Sequence, residues 1–445
     1  MARGTNARGS GLIPDLDPEL EAQIRQVVDE PKLPKFNARQ LALELHGETP
    51  VARGGGELFT YRDGHYRPGG RENLRERITR KLGDDWKRNR ADETLAYLAD
   101  SAQRLLDSPP VDQVNLRNGI LDTSDGKLAP HDPDLLTPIQ LPVAYDPAAT
   151  CPAIDKFLAE TLDADLAEVI YELAGYLVIP DNSLQVAALF LGEGANGKST
   201  MLNVLTALIG ERNVSSIALH RLDEDRFAPA GLYGKLANVF ADLDARALQA
   251  SSMFKAITGG DLIDGERKYS DAFSFRPYSR LLYSANEPPP TPDSSDAFFR
   301  RWLVLPFDRR FDGSTVDRNL TAKLTAPAEL SGLLNRGLER LPDLRRRGAF
   351  TATDASVNAA ERFRVDADSV AGFLADKCEL NLDARTPKPK MFPAYREWCS
   401  ENNRRPVSKQ KFNRRVEALY PYELIQVVVN GTQCWSGIRL EGGSI

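Results

Sequence analysis

Paired cysteines, clustered histidines and long apolar runs are all missing from this chain of 445 residues. Cys151, Cys378, Cys399 and Cys434 lie far apart and form no CxxC pair, and His46, His65, His131 and His220 are equally scattered. That spacing excludes a structural zinc ribbon or finger, and buried or idle thiols are expected. No apolar stretch reaches the roughly 18 residues that a membrane-spanning helix needs, and the N-terminus "MARGTNARGSG" lacks a signal peptide's apolar segment. The expected compartment is therefore the cytoplasm of a host cell, with no membrane partner. A net charge of −6 argues against a coat of basic residues, although it conceals local asymmetry. Internal repeats, heptads and low-complexity tracts are also absent. What remains, with 42% apolar and 27% charged residues, has the balance of a globular multidomain protein.

Residues 1–34 read as a polar tail, and 35–150 as a small α+β domain. In the latter, "ELFTYRDGHYRP" alternates around Asp63-Gly64 as a hairpin does, and Leu74, Ile78 and Leu82 recur on one helical face. Asn118-Gly119 and Asp125-Gly126 mark further turns. Two helical stretches occupy 151–183, read as a collar. Strands then alternate with helices over 184–310, the pattern of an α/β nucleotide-binding core. Residues 311–352 hold a helix with Leu330, Leu333, Leu334, Leu338 and Leu341 at helical spacing, then a linker. Residues 353–445 are assigned to the last domain, which itself begins near Val370.

Chemistry concentrates in the α/β core. "LFLGEGANGKST" runs from a strand into Gly192, Glu193, Gly194, Ala195, Asn196, Gly197, Lys198, Ser199 and Thr200, the full Walker A spacing, and "STMLNVLTALIG" continues as a helix that Gly210 can stop. Glycines let backbone N–H groups turn onto phosphate oxygens, and the helix N-terminus adds positive charge. Lys198 would hold the β- and γ-phosphates of ATP, and the Ser199 hydroxyl would complete the Mg²⁺ shell. About 45 residues further on, "GKLANVFADLDA" ends an apolar strand in Asp242 and Asp244. On an extended chain these acids share a face, one for the metal and one to polarise water. Asp242 is the first choice for the metal.

Downstream, "SRLLYSAN" is a strand closing on Asn286, an amide suited to sensing the γ-phosphate. "GERKYSDAF" sets Arg267 and Lys268 between two strand-like pieces, a basic hairpin suited to a nucleic-acid backbone. "FFRRWLVLPF" places Arg300 and Arg301 just ahead of another strand, where either suits an arginine finger for a neighbouring subunit.

Taken together and in this order, these motifs resemble a superfamily 3 helicase, most closely the helicase portion of phage and plasmid primase-helicases of the poxvirus type. The resemblance spans roughly residues 55–440. It includes "NLRNGILDTSDGKLAPHDPDLLTPIQLPVAYDP" before the core, and "VAGFLADKCEL", "MFPAYREWC" and "SKQKFNRRVEAL" after it. It implies an AAA+-type P-loop core with an N-terminal α+β domain and a C-terminal winged-helix domain. It further implies a homo-oligomeric ring, usually a hexamer, moving 3′ to 5′ on single-stranded DNA and opening forks with ATP and Mg²⁺. The acids here form "DLD", where many relatives have an adjacent pair. The region before the core is short and lacks the acidic and histidine motifs of a primase, so primase is expected to be either supplied by another chain or lost, with a separate primase, polymerase or initiator as candidate partners.

The last domain adds its own signal. Residues 385–415 hold ten Lys and Arg against Glu397 and Glu401. "SKQKFNRRVEAL" reads as a helix with Phe412, Val416 and Leu419 inward and Lys409, Lys411, Arg414 and Arg415 outward, suited to duplex phosphates or simply to solvent. Tyr395, Trp398 and Trp435 read as core aromatics. Two other readings stand beside the helicase: an initiation factor whose ATPase controls assembly, and a remodeller of protein complexes. The Arg267-Lys268 pair favours DNA over a threaded polypeptide.

Overall fold

The computed structural model describes residue 19 and residues 36–243, 251–268, 271–289, 291, 293, 295–311, 317, 319–402, 404 and 406–440. The chain divides into two compact units. The smaller comprises residues 36–48 and 74–101 within the described range. Its helices Ala38–Glu48 and Arg88–Ser101 pack side by side, burying Ala42, Leu45, Leu95 and Leu98 together with Leu74 and Ile78. Arg77 to Glu48 (2.6 Å) and Arg75 to Asp92 (2.5 Å) lace its surface, adding little at this exposure.

The larger unit begins with a four-stranded sheet in the order β3-β2-β1-β4, built from β1 Val51–Gly54, β2 Glu57–Arg62, β3 His65–Arg67 and β4 Gln103–Arg104. The expected hairpin is there, with Asp63 and Gly64 both at positive φ (50° and 88°), as a two-residue turn of this hand requires. β5 Gln113–Leu116, β6 Gly119–Asp122 and β7 Leu128–Ala129 form a small meander. The turn between β5 and β6 falls on Arg117-Asn118, with Gly119 already paired to Leu116.

The centre is a five-stranded, wholly parallel sheet of β8 Ala187–Leu191, β9 Val214–Ser215, β10 Ala237–Phe240, β13 Arg280–Ala285 and β14 Trp302–Pro306. An antiparallel pair, β11 Ile263–Gly265 and β12 Phe273–Phe275, is inserted before β13. The order β14-β8-β13-β10-β9 seats β8, first in sequence, between the fourth and fifth strands. Side chains alternate between two cores. Ala188, Phe190, Leu282 and Leu305 face the helix Lys198–Ile209 and the helices around it, whereas Leu189, Leu281, Tyr283 and Val304 face Phe254, Phe298 and Phe363. Both faces are dry, as a parallel sheet demands.

Helices Pro152–Thr161, Ala164–Leu177 and Pro327–Arg347 cover one face. Leu330, Leu333, Leu334 and Leu341 are buried there, as their spacing predicts. Glu329 reaches across to accept from the backbone N–H groups of Ala153 (3.1 Å) and Ile154 (3.1 Å), satisfying two donors that the first turn of the other helix leaves open. The segment 348–353, expected to be a linker, is packed. Phe350 is buried, and Glu172 accepts from Thr351 N (2.9 Å) and Oγ (2.6 Å) and from Arg347 (2.7 Å). The helix Asp354–Ala367 likewise puts Phe363 against Trp302 (ring centroids 5.7 Å apart), so it packs on the central sheet. A separate core starts only at Val370. It comprises helices Ser369–Lys377, Lys388–Glu401 and Lys409–Leu419 against the sheet β15 Cys378–Pro387, β16 Ile425–Val429 and β17 Thr432–Leu440, in the order β15-β17-β16. Tyr395, Trp398 and Trp435 fill it, as the sequence indicates. Cys151, Cys399 and Cys434 are buried. Among the described residues no helix is long and apolar enough to cross a membrane.

Helices Ala164–Leu177 and Pro327–Arg347 cross at Gly175 and Gly337. A Cβ on Gly337 would sit 2.5 Å from Gly175 N, a contact that neither backbone can relieve. We expect Gly337→Val to lower the thermal midpoint by about 5 °C or more through overpacking. Gly47→Ala, which has nothing within 4 Å of its added Cβ, should leave it unchanged. Calorimetry of both variants makes the comparison.

Candidate functional site

β8 lies where the strand order reverses, and the crevice beyond the carboxyl ends of such a sheet is where ligands collect. The chain leaving β8 at Leu191 turns through Gly192 (φ 152°), Ala195 (φ 59°) and Gly197 (φ 91°) before Lys198 opens its helix. Hydrogen bonds pin the loop on every side. Gly192 N donates to Ala285 O (3.2 Å), Phe311 N to Ala195 O (2.9 Å) and Asn196 Nδ2 to Phe307 O (2.8 Å). At Gly197 a Cβ would meet Thr161 Cγ2 at 2.8 Å, so the loop rests directly on the helix Pro152–Thr161. Glu193, Gly194, Ala195 and Ser199 face solvent, while Asn196 and Lys198 are buried.

The Lys198 amine folds back over this loop. It donates to the carbonyls of Gly192 and Glu193 (3.1 Å to the latter) and to Asn196 Oδ1 (3.1 Å). Burial holds its pKa below the usual lysine value, and the charge of Asp242 opposes that shift. An ammonium at the positive end of a helix, held only by neutral oxygens and one nearby carboxylate, can bind an anion. Asn196 is a part that spacing alone does not assign: its amide ties the loop to Phe307 while its oxygen orients Lys198.

Asp242 departs from its expected geometry. β10 ends at Phe240, and Asp242 is left-handed (φ 61°), so it does not lie on an extended chain. Its N–H donates to Ser284 Oγ (3.1 Å), and Leu243 N donates to Ser284 O (2.7 Å), so the buried Ser284 of β13 holds this turn. An Asp tolerates positive φ better than most residues, and the conformation aims an exposed carboxylate beyond the strand end. Asp244 lies outside the described residues. Asn286 comes directly after β13, whose last residue Ala285 pairs with Leu191, and is exposed beside the loop. Gly192–Thr200, Asp242 and Asn286 therefore share one edge of the sheet.

Arg300 and Arg301 do not. They precede β14, which runs parallel to β8 with Trp302 opposite Ala187, and so lie at the other edge. Arg300 is exposed at the end of the short helix Asp296–Phe299. Arg301 is half-buried, donates to Ala297 O and keeps a buried Nε that has no partner among the described residues. Of the two, Arg300 carries the freer charge.

The expected basic hairpin exists as β11–β12, but its two cations differ. Arg267 turns to the base, paired with Glu57 of β2 and lying 5.3 Å from the Phe273 ring centroid. Lys268 is exposed. In the last domain Lys409, Lys411 and Arg414 are exposed. Arg415 is not outward-facing. It pairs with Asp368, whose side chain is 3% exposed and which also accepts from Val370 N (2.9 Å) and Ala371 N (3.2 Å). Lys388 is spent internally as well, 3.8 Å from the Trp435 ring centroid and 2.7 Å from Gln426 Oε1.

Family models match the chain in three places: a D5 N terminal-like model over residues 23–163, a family of unknown function (DUF5906) over 190–301, and a poxvirus D5 protein-like model over 365–428. A putative helicase L207/L206 of Acanthamoeba polyphaga mimivirus is 25% identical over 210 residues, covering 44% of this chain and 22% of that protein. Putative helicase 121R of Invertebrate iridescent virus 3 is 23% identical over 284 residues, 56% of this chain and 29% of that one. The chain thus spans under a third of the length of these relatives. Among solved structures, the apo C-terminal region of NrS-1 matches with a TM-score of 0.51 at 13% identity, covering 89% of this chain and 98% of that one, and shows the same fold. Over parts of its length the chain is thus similar to D5-type proteins and to viral putative helicases.

Arg415 and Lys411 separate a structural charge from an available one. Arg415→Ala leaves a buried carboxylate unpaired and should cost the C-terminal core about 3 kcal/mol, read by hydrogen exchange on Phe412 and Val416. Lys411→Ala should leave that protection intact.

Proposed function

We propose that the chain is an ATP-driven motor that separates DNA strands, working as a ring of identical subunits with the nucleotide held at the seam between neighbours. Residues 184–310 act as its AAA+-type P-loop core, 35–150 and 151–183 as N-terminal domain and collar, 311–352 as a helical brace, and the C-terminal region as a winged-helix DNA-binding domain. One observation carries the reading. Lys198, Asp242 and Asn286 gather at one edge of a parallel sheet, while Arg300 stands at the opposite edge, five strand residues away, about 16 Å. An arginine that distant cannot serve its own loop, but it suits the loop of an adjacent copy.

The residues present fit ATP with Mg²⁺. An exposed Ser199 hydroxyl and the Asp242 carboxylate are the hard oxygen donors that Mg²⁺ takes, one carboxylate being the usual number when phosphates supply the rest. Bound there, the ion would neutralise phosphate charge. The chain's own part is positional. Loop N–H groups and Lys198, released from the Gly192 and Glu193 carbonyls, orient the phosphates. Asp242 or Asp244 accepts a proton from the attacking water, and Asn286 holds that water in line. Arg300, or Arg301 once freed from Ala297, supplies positive charge to the neighbour's transition state. Lys268 grips the strand backbone in the pore, with Arg267 bracing the hairpin, and Lys409, Lys411 and Arg414 meet duplex phosphates ahead of it. By this reading translocation runs 3′ to 5′, in the host cytoplasm.

A strand-displacement assay on a forked duplex tests the proposal. Lys198→Ala should cut ATP turnover at least about 100-fold and abolish unwinding. Turnover and binding by the wild type without displacement would leave it an assembly factor instead.

The finger has its own test. Arg300→Ala subunits should assemble yet hydrolyse about 1000-fold slower, and mixing them with Lys198→Ala subunits should restore part of the activity. Failure to recover at any ratio, measured by phosphate release, would place the arginine's work elsewhere.

A further inference from the structure

A second cavity, of about 750 Å³, opens at the root of the β11–β12 hairpin, away from the phosphate loop. Three distant stretches wall it: β2–β3 of the first sheet, the segment 227–235 ahead of β10, and hairpin residues 266–268, with Arg212 at its rim. Its size falls in the range of small-molecule sites, about 300–1,000 Å³.

The charges on this wall do not balance. Of its two carboxylates, Glu57 already holds Arg267 and Glu266 holds Arg226 (3.3 Å), while Asp63 outside it holds Arg67 (2.6 Å). Arg212, Lys235 and Lys268 have no carboxylate within ion-pair distance among the described residues. Burial holds the Lys235 pKa below the usual lysine value, and its amine donates to the Arg212 carbonyl, which leaves further N–H groups to satisfy. Two more donors or acceptors in the wall are orphans: His65 Nδ1, in a residue 7% exposed, and Arg67 Nε are both buried without partners among the described residues. Unpaired cations beside unmatched polar atoms in a half-enclosed space call for an anion.

The aromatic component narrows which anion. Tyr233 is clamped edge-on by Phe273 (5.4 Å) and Phe275 (5.5 Å), so it forms a rigid wall. Phe227 is half-buried and lines the opening, with the Arg226 guanidinium 4.8 Å from its ring centroid. An inorganic anion needs no rings, whereas a base stacks on them.

We propose that this cavity is a nucleotide site distinct from the phosphate loop, binding the phosphate of a nucleoside phosphate through Arg212 and Lys235 and its base against Phe227. A free mononucleotide and one unit of a single strand share this chemistry. The site does not depend on ATP turnover or on strand separation, so it stands or falls by direct binding.

The test measures fluorescence anisotropy of the full chain, without Mg²⁺, using two labelled probes: deoxyadenosine monophosphate and a thymidine oligonucleotide of about 15 residues. Arg212→Ala removes an exposed side chain and so keeps the fold, which the thermal midpoint verifies. Phe227→Ala removes the ring but no charge, so a merely basic surface would not register it. We expect each variant to weaken one of the probes about ten-fold. Loss on the oligonucleotide alone identifies the ligand as a strand unit, and loss on the mononucleotide identifies a free nucleotide. Wild type that binds neither probe, or unchanged affinity for both in Phe227→Ala, overturns the proposal.

Discussion

Everything in the central domain depends on β8 being walled in on both sides by parallel partners. A strand buried on both faces and paired on both edges has nowhere to vary except at its ends. The chain leaving it must turn at once, and hydrogen bonds to the carbonyls of Ala285 and Phe307 and from the N–H of Phe311 hold that turn in shape. Lys198 then takes its place because the helix behind it is fixed by Met201, Leu202 and Leu205 in a dry core. The chemistry at the loop is a product of sheet order, and the glycines only permit it.

The same sheet order decides which charges can work together. β14 runs beside β8 in the same direction, so the residues ahead of β14 are separated from the loop by the length of the strand. Phe307 and Phe311, beyond the strand's carboxyl end, touch the loop instead. Arg309, between those two, donates to Ala159 O (2.7 Å) and Asp163 (2.7 Å) and ties that exit to the end of the helix Pro152–Thr161.

Much of this was readable in the residue order. The strand–loop–helix at 187–209, the hairpin at Asp63-Gly64 and the inward faces of 327–347 and 409–419 depend on near neighbours, and periodicity captures near neighbours. What escaped depends on partners far away in sequence. Arg267 looks like a free cation until Glu57 of the first sheet is placed beside it, and Arg415 until Asp368 is. Asp242 reads as the next residue of a strand because nothing local announces the grip of Ser284. The segment 348–353 looks like a linker because its composition is that of one, and only Glu172 makes it a packed joint. Long-range pairing changes what a charge is for without changing the letters around it.

The helix Pro152–Thr161 touches the loop at one end and is held at the other. Gly197 rests on Thr161 and Phe157, and Glu329 grasps the opposite terminus through Ala153 and Ile154. A helix about 15 Å long therefore joins the anion-binding loop to the long helix beyond the core, and the two ends of that connection are a packed glycine and a pair of charge-assisted hydrogen bonds.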